Sequence, residues 1–497
     1  MTAPLRLGED TLARHAERVA VPSYDRAALK PAVVHMSVGS FHRSHQAVYF
    51  DELAQRRVTQ AWGITGVGLH RPEMREVLTA QDGLYTVVAR SAVDDVARVV
   101  GVIGRYLFAP QDGDAVLDAL SSPGTRLVTL TITGAAYSVD PATDTFRAGH
   151  PELEADLATP SRPTSALGYL VEALDRRRRA GLEPFTVLSC DNVPGNGEMA
   201  RRALVGFSAL RDPRLAAWIE ERVAFPSSMV DRITAKTTVA DREFVEREFG
   251  VADRWPVITE PFSQWVVEDV FCNGRPPLEE VGVRFVDDVR PYALLKTRLL
   301  NASHCALGHL GGLAGLRRAD EAMDDPVFGA YVTRLMDHEV APLLPSVPGV
   351  DLRAYQRSLL ERLANPMIGD ALSRLRRNGS SKVPTHVLSS IAEARARGLP
   401  HTLLTLAVAG WCRQLRGVDD DGHRVSIDDP LAGVLQPLAV AGGTDPRSLL
   451  GVREVFGALG QDPGFAAELE VALVAIDRDG VRSVVTASLG ADRQVAA

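Results

Sequence analysis

Four short apolar runs, each closing in a polar or glycine-containing turn, constrain this chain more than any other feature. They are PAVVHMS at 31–37, AWGITGVGL at 61–69, RLVTLTIT at 126–133 and FTVLSCDN at 185–192. Helix-like segments lie between them, such as AVLDAL at 115–120 and TSALGYLVEALDRRRRAG at 164–181. Such runs, alternating with helices, are satisfied by a parallel sheet with helices on both faces. The expected class for this part of the chain is therefore α/β.

From about residue 290 the pattern changes. Helix-like stretches at 291–318, 326–341, 351–376, 385–397, 402–416 and 447–477 dominate, with joints such as PLLPSVPG at 342–349. At 497 residues the chain also exceeds what one core ordinarily serves. We place the boundary after VGVRFVDDV, giving an N-terminal domain over 1–288 and a mostly α-helical domain over 289–497.

Composition excludes several roles. A net charge of −8 lacks the basic excess of a nucleic-acid surface, so no such partner is expected. The arginine run Arg176–Arg179 is expected at the solvated C-terminal end of a helix, where positive charge is favoured. No segment reaches the ~18 uninterrupted apolar residues of a membrane span, and MTAPLRLGEDTLARHAERVA lacks a signal-peptide core. A cytoplasmic location without membrane contact is the expectation. Cys190, Cys272, Cys305 and Cys412 lie far apart and suggest neither disulfides nor a zinc site.

MSVGSFHR follows the first strand and precedes a helix, where an open α/β sheet binds phosphate. Gly39 permits close backbone approach, but Ser37 stands where a first glycine is usual, and the full G-x-G-x-x-G pattern is absent. The second strand ends in GVGLHRPEMRE, where Glu73 is the nearest acid for a ribose and His70 and Arg71 are cations beside it. The expected cofactor contacts are Val38, Gly39, Phe41, Arg43 and Glu73. The expected cofactor is NAD, with NADP left open. His42 and His45 have a ligand-like spacing but no local carboxylate or cysteine, so no metal site is assigned.

PYALLKTRLLNASHCALGHLGG, 291–312, reads as a buried helix that nevertheless carries Lys296, Asn301 and His304. At ~100° per residue, Asn301 and His304 fall about 140° and 80° from Lys296, on one broad side, with Arg298 directed elsewhere toward solvent. Burial disfavours an ammonium and tunes a lysine toward general-base work. A neighbouring amide can donate to a developing alkoxide, and a histidine can hold the hydroxyl. These are the parts needed to oxidise a secondary alcohol. SCDNVPGNG adds Asp191 and Asn192, FPSSMVDRITAKTT adds Asp231, and SRLRRNGSSKVP adds Arg374 and Lys382.

Taken in order, VGSFHRSHQA, GITGVGL, LTIT, SCDNVPGNG, FPSSMVDRIT, EPFSQWVVEDVF, LLNASH and GSSKVP resemble the polyol-specific long-chain dehydrogenase/reductase family over nearly the whole chain. The resemblance implies a Rossmann-type N-terminal domain, a helical substrate-binding domain and zinc-independent chemistry on a mannitol-like alditol and its 2-ketose. It also implies Lys296 as base, Asn192 and Asn301 at the oxyanion, and His304, Asp231, Arg374 and Lys382 on the polyol hydroxyls. A fructuronate-type sugar acid and D-arabinitol are the alternative substrates, and a monomer or weak oligomer is expected. Three departures stand out: Ser37; TITGAAY at 131–137 in place of T-I-T-E-G-G-Y; and Ala293 and Leu294 where acids often precede the lysine. The last leaves the proton without the usual exit.

Overall fold

The computed structural model describes residues 4–140, 143 and 145–491. It divides into two compact units, Met1–Arg290 and Pro291–Ala497.

Five parallel strands form the centre of the first unit: β1 (Val33–Met36), β2 (Ile64–Gly68), β3 (Ile103–Phe108), β4 (Leu127–Leu130) and β5 (Thr186–Ser189). Their spatial order is β3-β2-β1-β4-β5. Every residue of β1, β2, β4 and β5 is buried, which is why these strands read as continuous apolar runs. Alternate side chains feed two cores. Val34, Met36, Val128 and Leu130 meet the helices Ala109–Ser121, Ala166–Arg179 and Asn196–Arg211. Val33, Ile64 and Leu127 on the other face pack with Phe50, Trp62 and Trp265. The topology is Rossmann-type, and the order reverses between β1 and β4, the switch point where such sheets bind ligands.

Smaller sheets complete the unit. Tyr85–Arg90 pairs antiparallel with Asp95–Val100 and parallel with Val257–Thr259. Gln264–Glu268 joins Ser228–Asp231 to Arg284–Val286. The arginine run does end the helix Ala166–Arg179, but it is not uniformly solvated. Arg177 is 1 % exposed, and its guanidinium donates to the carbonyls of Leu120, Ser122 and Glu183. The cation is buried because it satisfies three chain ends that have no helical partner.

The second unit is helical. Its centre is Thr402–Gln414, buried from Leu403 to Cys412 and packed against Pro463–Asp479. A helix apolar on all sides belongs in the middle of a bundle. The buried Glu339 carboxylate accepts from the N–H groups of Leu403 and Leu404, 2.8 Å each, and satisfies the first turn. Among the described residues no helix is long and apolar enough to cross a membrane.

Candidate functional site

In the N-terminal unit a cavity of about 450 Å³ opens at the switch point. Val38 and Gly39 after β1, Leu69, His70 and Arg71 after β2, and Thr133 after β4 line it. A β-carbon on Gly39 would meet just Ser37 O, at 4.0 Å, so any side chain there would occupy the cradle itself. At Gly68 a β-carbon would lie 2.0 Å from the Tyr106 hydroxyl, so glycine is what admits the Tyr106 ring to the cavity wall. This shape and chemistry fit a dinucleotide.

Ser37 resolves the missing-glycine question. It adopts φ +74°, the region that glycine enters freely, and its N–H donates to Val67 O at 2.8 Å. The turn thus has a glycine's geometry with a serine in it. Support comes from beneath: His35 bonds Thr129 and Thr131 through its two ring nitrogens, and Thr131 Oγ1 donates to Ser37 O. Thr133, on the opposite lip, also has positive φ, +73° with ψ 152°. Asp191 fastens it. Oδ1 accepts Thr133 N–H at 2.7 Å, while Oδ2 accepts Ile132 N–H at 3.1 Å and the Tyr137 hydroxyl at 2.7 Å. Burial raises the Asp191 carboxyl above its ordinary range despite these three donors.

The remaining expected cofactor contacts lie outside this lining. Phe41 stacks on His45 with centroids 4.9 Å apart. Arg43, 0 % exposed, donates Nη1 to Trp255 O and lies over the Tyr85 ring. Its contribution is to hold Trp255, which does line the cavity. Glu73 sits exposed in the first turn of Pro72–Ala80, where a carboxylate suits the helix end. His42 stacks on His35 at 3.4 Å, and His45 Nε2 donates to Gln264 O, so both serve the core. Asn192 is exposed just beyond β5, and Asp231, 3 % exposed, ends the strand Ser228–Asp231. Neither lines the cavity.

In the C-terminal unit the lysine stretch is helical but not α-helical throughout. Arg290–Lys296 and Ala302–Ala306 are α, whereas Thr297–Asn301 and Leu307–Gly311 are π-helical. A π turn, closed by i→i+5 bonds, returns residues five apart to nearly the same side. Lys296 and Asn301, each 8 % exposed, are therefore closer in phase than a regular α-helix would set them. Arg298 does not reach solvent. It is 7 % exposed, pairs with Glu393 at 2.5 Å and donates to Leu343 O at 3.0 Å. The wider turn swings it inward, where Glu393 meets it.

His304 lies among cations. Burial holds its imidazole well below the usual value, and Arg374, Arg362, Lys382 and Lys296 push it further the same way. Its Nε2 is buried without a hydrogen-bond partner among the described residues. Arg374 Nε donates to Asp370 at 2.6 Å, and Lys382 Nζ to Leu375 O at 3.1 Å. Burial also lowers the Lys382 ammonium. His386, which the sequence did not mark, is pushed to about 3 by burial and by Lys382 and Lys296. Its spacing of four from Lys382 was the available signal. Arg362, from the helix Leu352–Leu363, carried none. Among the described residues no three His, Cys, Asp or Glu side chains are grouped to hold a metal ion.

A β3-β2-β1-β4-β5 sheet with a cavity at its reversal, followed by a helical unit with a buried lysine, defines a Rossmann-type two-unit protein of the dehydrogenase kind. Residues 31–280 match the mannitol dehydrogenase Rossmann domain and residues 288–477 the mannitol dehydrogenase C-terminal domain, and the chain belongs to this family. It is 45% identical to the mannitol 2-dehydrogenase of Aspergillus terreus over 492 residues, covering 96% of this chain and 98% of that one. Among solved structures it resembles Pseudomonas fluorescens mannitol 2-dehydrogenase in ternary complex with NAD and D-mannitol: 41% identity, TM-score 0.91, 98% and 100% coverage. A substrate-free D-sorbitol dehydrogenase aligns at 34% identity and TM-score 0.88, covering 97% of this chain and all of that one.

Proposed function

We propose that this chain is an NAD-dependent polyol dehydrogenase interconverting a mannitol-like alditol and a 2-ketose, with Lys296 as general base. Residues 1–288 would hold the dinucleotide, and 289–497 would bind the substrate and supply the base. One observation carries the reading: the interior Lys296 caps the π turn that ends at Asn301, and it lies about His304 together with Arg362, Arg374 and Lys382.

A lysine serves as a base where burial disfavours its ammonium, and Lys296 is interior. Lys296 takes the hydroxyl proton. Asn301 donates its amide hydrogens to the oxygen as negative charge grows there, a role that the family resemblance gives also to Asn192. His304, neutral because it is buried, positions the hydroxyl through Nε2. Arg374 and Lys382 orient the other hydroxyls, with Asp231 assigned alongside them. NAD, when bound, would supply the hydride acceptor for the alcohol carbon; no metal takes part in this reading.

Lys296→Ala tests it. Turnover of mannitol should fall by about 10²–10⁴, the range for losing a general base, while NADH affinity by fluorescence titration stays within about twofold. Turnover within about tenfold of the parent would sink the assignment. Four cations about one histidine also suit a substrate carboxylate, which favours a fructuronate-type sugar acid as second reading. Steady-state kcat/KM on mannitol, arabinitol, sorbitol and mannonate separates the two: a clear maximum for mannonate installs the second reading.

A further inference from the structure

We infer that the rim of the N-terminal cavity is a 2′-phosphate site, so that the chain accepts NADP(H) as well as NAD(H). The inference rests on the reading that this cavity holds the dinucleotide. In Rossmann-type sheets the residues after the second strand select the cofactor. A carboxylate there accepts from the ribose hydroxyls of NAD, and an arginine there meets the extra phosphate of NADP.

After β2 this chain has Leu69, His70 and Arg71, all lining the cavity. The acid that would favour NAD is missing from this edge. Glu73 lies outside the lining, and Glu152, the one acid in it, comes from the first turn of another helix, Pro151–Ala158. The rim therefore offers no carboxylate to a 2′-hydroxyl where one is ordinarily found.

It does offer donors. His70 and Arg71 are exposed, and no hydrogen bond or ion pair engages either side chain among the described residues. The next cation along, Arg75, is already committed to Gln111 and Asp112. Arg71 is thus a free guanidinium whose fork matches a phosphate's oxygens, with an imidazole beside it. Arginine and histidine are poor partners for a bare ribose hydroxyl pair but good ones for a dianion.

Titration of the full chain with NADH, NADPH, 5′-AMP and adenosine 2′,5′-bisphosphate tests this, read by calorimetry and by quenching of Trp255, which lines the same cavity. NADPH should bind within about tenfold of NADH, and the bisphosphate at least about tenfold more tightly than AMP. His70→Ser/Arg71→Ser, at exposed positions, should fold as the parent does. It should weaken NADPH and the bisphosphate by at least about tenfold more than it weakens NADH and AMP. NADPH binding more than about tenfold weaker than NADH in the parent, or equal losses for both in the variant, overturns the inference while leaving the dehydrogenase reading in place. Failure of both dinucleotides to bind overturns the reading of the cavity itself, and this inference with it.

Discussion

Asp191→Asn isolates one carboxylate that holds a strained loop against the cavity. Thr133 occupies φ +73°, ψ 152°, a region costly for any residue with a side chain, at about 1–3 kcal/mol. Opposing that strain, the two backbone N–H groups of Ile132 and Thr133 bond one carboxylate. Each bond to a charged group contributes about 1.5–3 kcal/mol, so together they exceed the strain. Asparagine preserves the shape but has a single acceptor oxygen, and its NH₂ would face a backbone N–H. With one bond lost the two sides of the balance become comparable, and the loop relaxes out of the cavity wall. The expected cost is about 2 kcal/mol, felt as roughly 30-fold weaker NADH binding by calorimetry. Adding Thr133→Gly removes the strain at its source, because glycine enters positive φ freely. The double variant should therefore recover most of the affinity, a coupling that a double-mutant cycle reads directly. NADH affinity within about threefold of the parent in Asp191→Asn, or no recovery on adding Thr133→Gly, would refute the argument.

Two further outcomes concern stability. His35, His42 and His309, each at most 1 % exposed, are kept neutral by burial: His35 is pushed to about 3, His309 to about 4 and His42 well below its usual value. The unfolded chain takes up protons at these residues near pH 6.5 and the folded chain does not, so their contribution is present above that pH and lost below it. At pH 5.5 each costs about 1.4 kcal/mol, or about 3 kcal/mol for the pair in the N-terminal unit. Urea midpoints that do not move between pH 7.5 and 5.5 would contradict this. Arg298→Met strands the Leu343 carbonyl and leaves Glu393 paired with Arg397 alone among the described residues, and should cost about 1–3 kcal/mol. A melting temperature unchanged from the parent would show that the Arg298–Glu393 pair contributes nothing.

The fold was legible where burial is two-sided. The runs at β1, β2, β4 and β5 are apolar because helices cover both faces, and that pattern is visible without any coordinates. β3 was not, because it is an edge strand: Gly104 and Arg105 are exposed, and the hairpin Tyr85–Arg90/Asp95–Val100 precedes it without the helix that usually separates parallel strands. The glycine fingerprint misled for a different reason. What the turn needs is a positive φ, and Ser37 supplies it at an energetic cost that a residue-type pattern does not register. Phe41, Arg43 and Glu73 were drawn from sequence proximity to the turn, whereas in the structure they serve the core and a helix end. His70 and Arg71, the cations beside Glu73 on whose account NADP was left open, are among the residues that line the cavity.

The lysine helix shows how candidate residues can be read from a helical geometry that the fold does not keep. Three polar residues in an apolar run were enough to single out Lys296, Asn301 and His304, since polar groups are not buried there without a partner or a purpose. The regular wheel, however, sets Lys296 and Asn301 about 140° apart, too far to serve one oxygen. The π turn at Thr297–Asn301 takes up that difference by widening one turn, at the expense of regular hydrogen bonding. The same widening explains Arg298, which an α-helix would send outward and which instead reaches Glu393. Local periodicity therefore picks out candidate residues, while the departure from periodicity decides which of them face one another. Such departures need tertiary support, here Glu393 and Leu343 holding Arg298, and that support comes from segments roughly 45 to 95 residues away in the chain. No window centred on the lysine contains it.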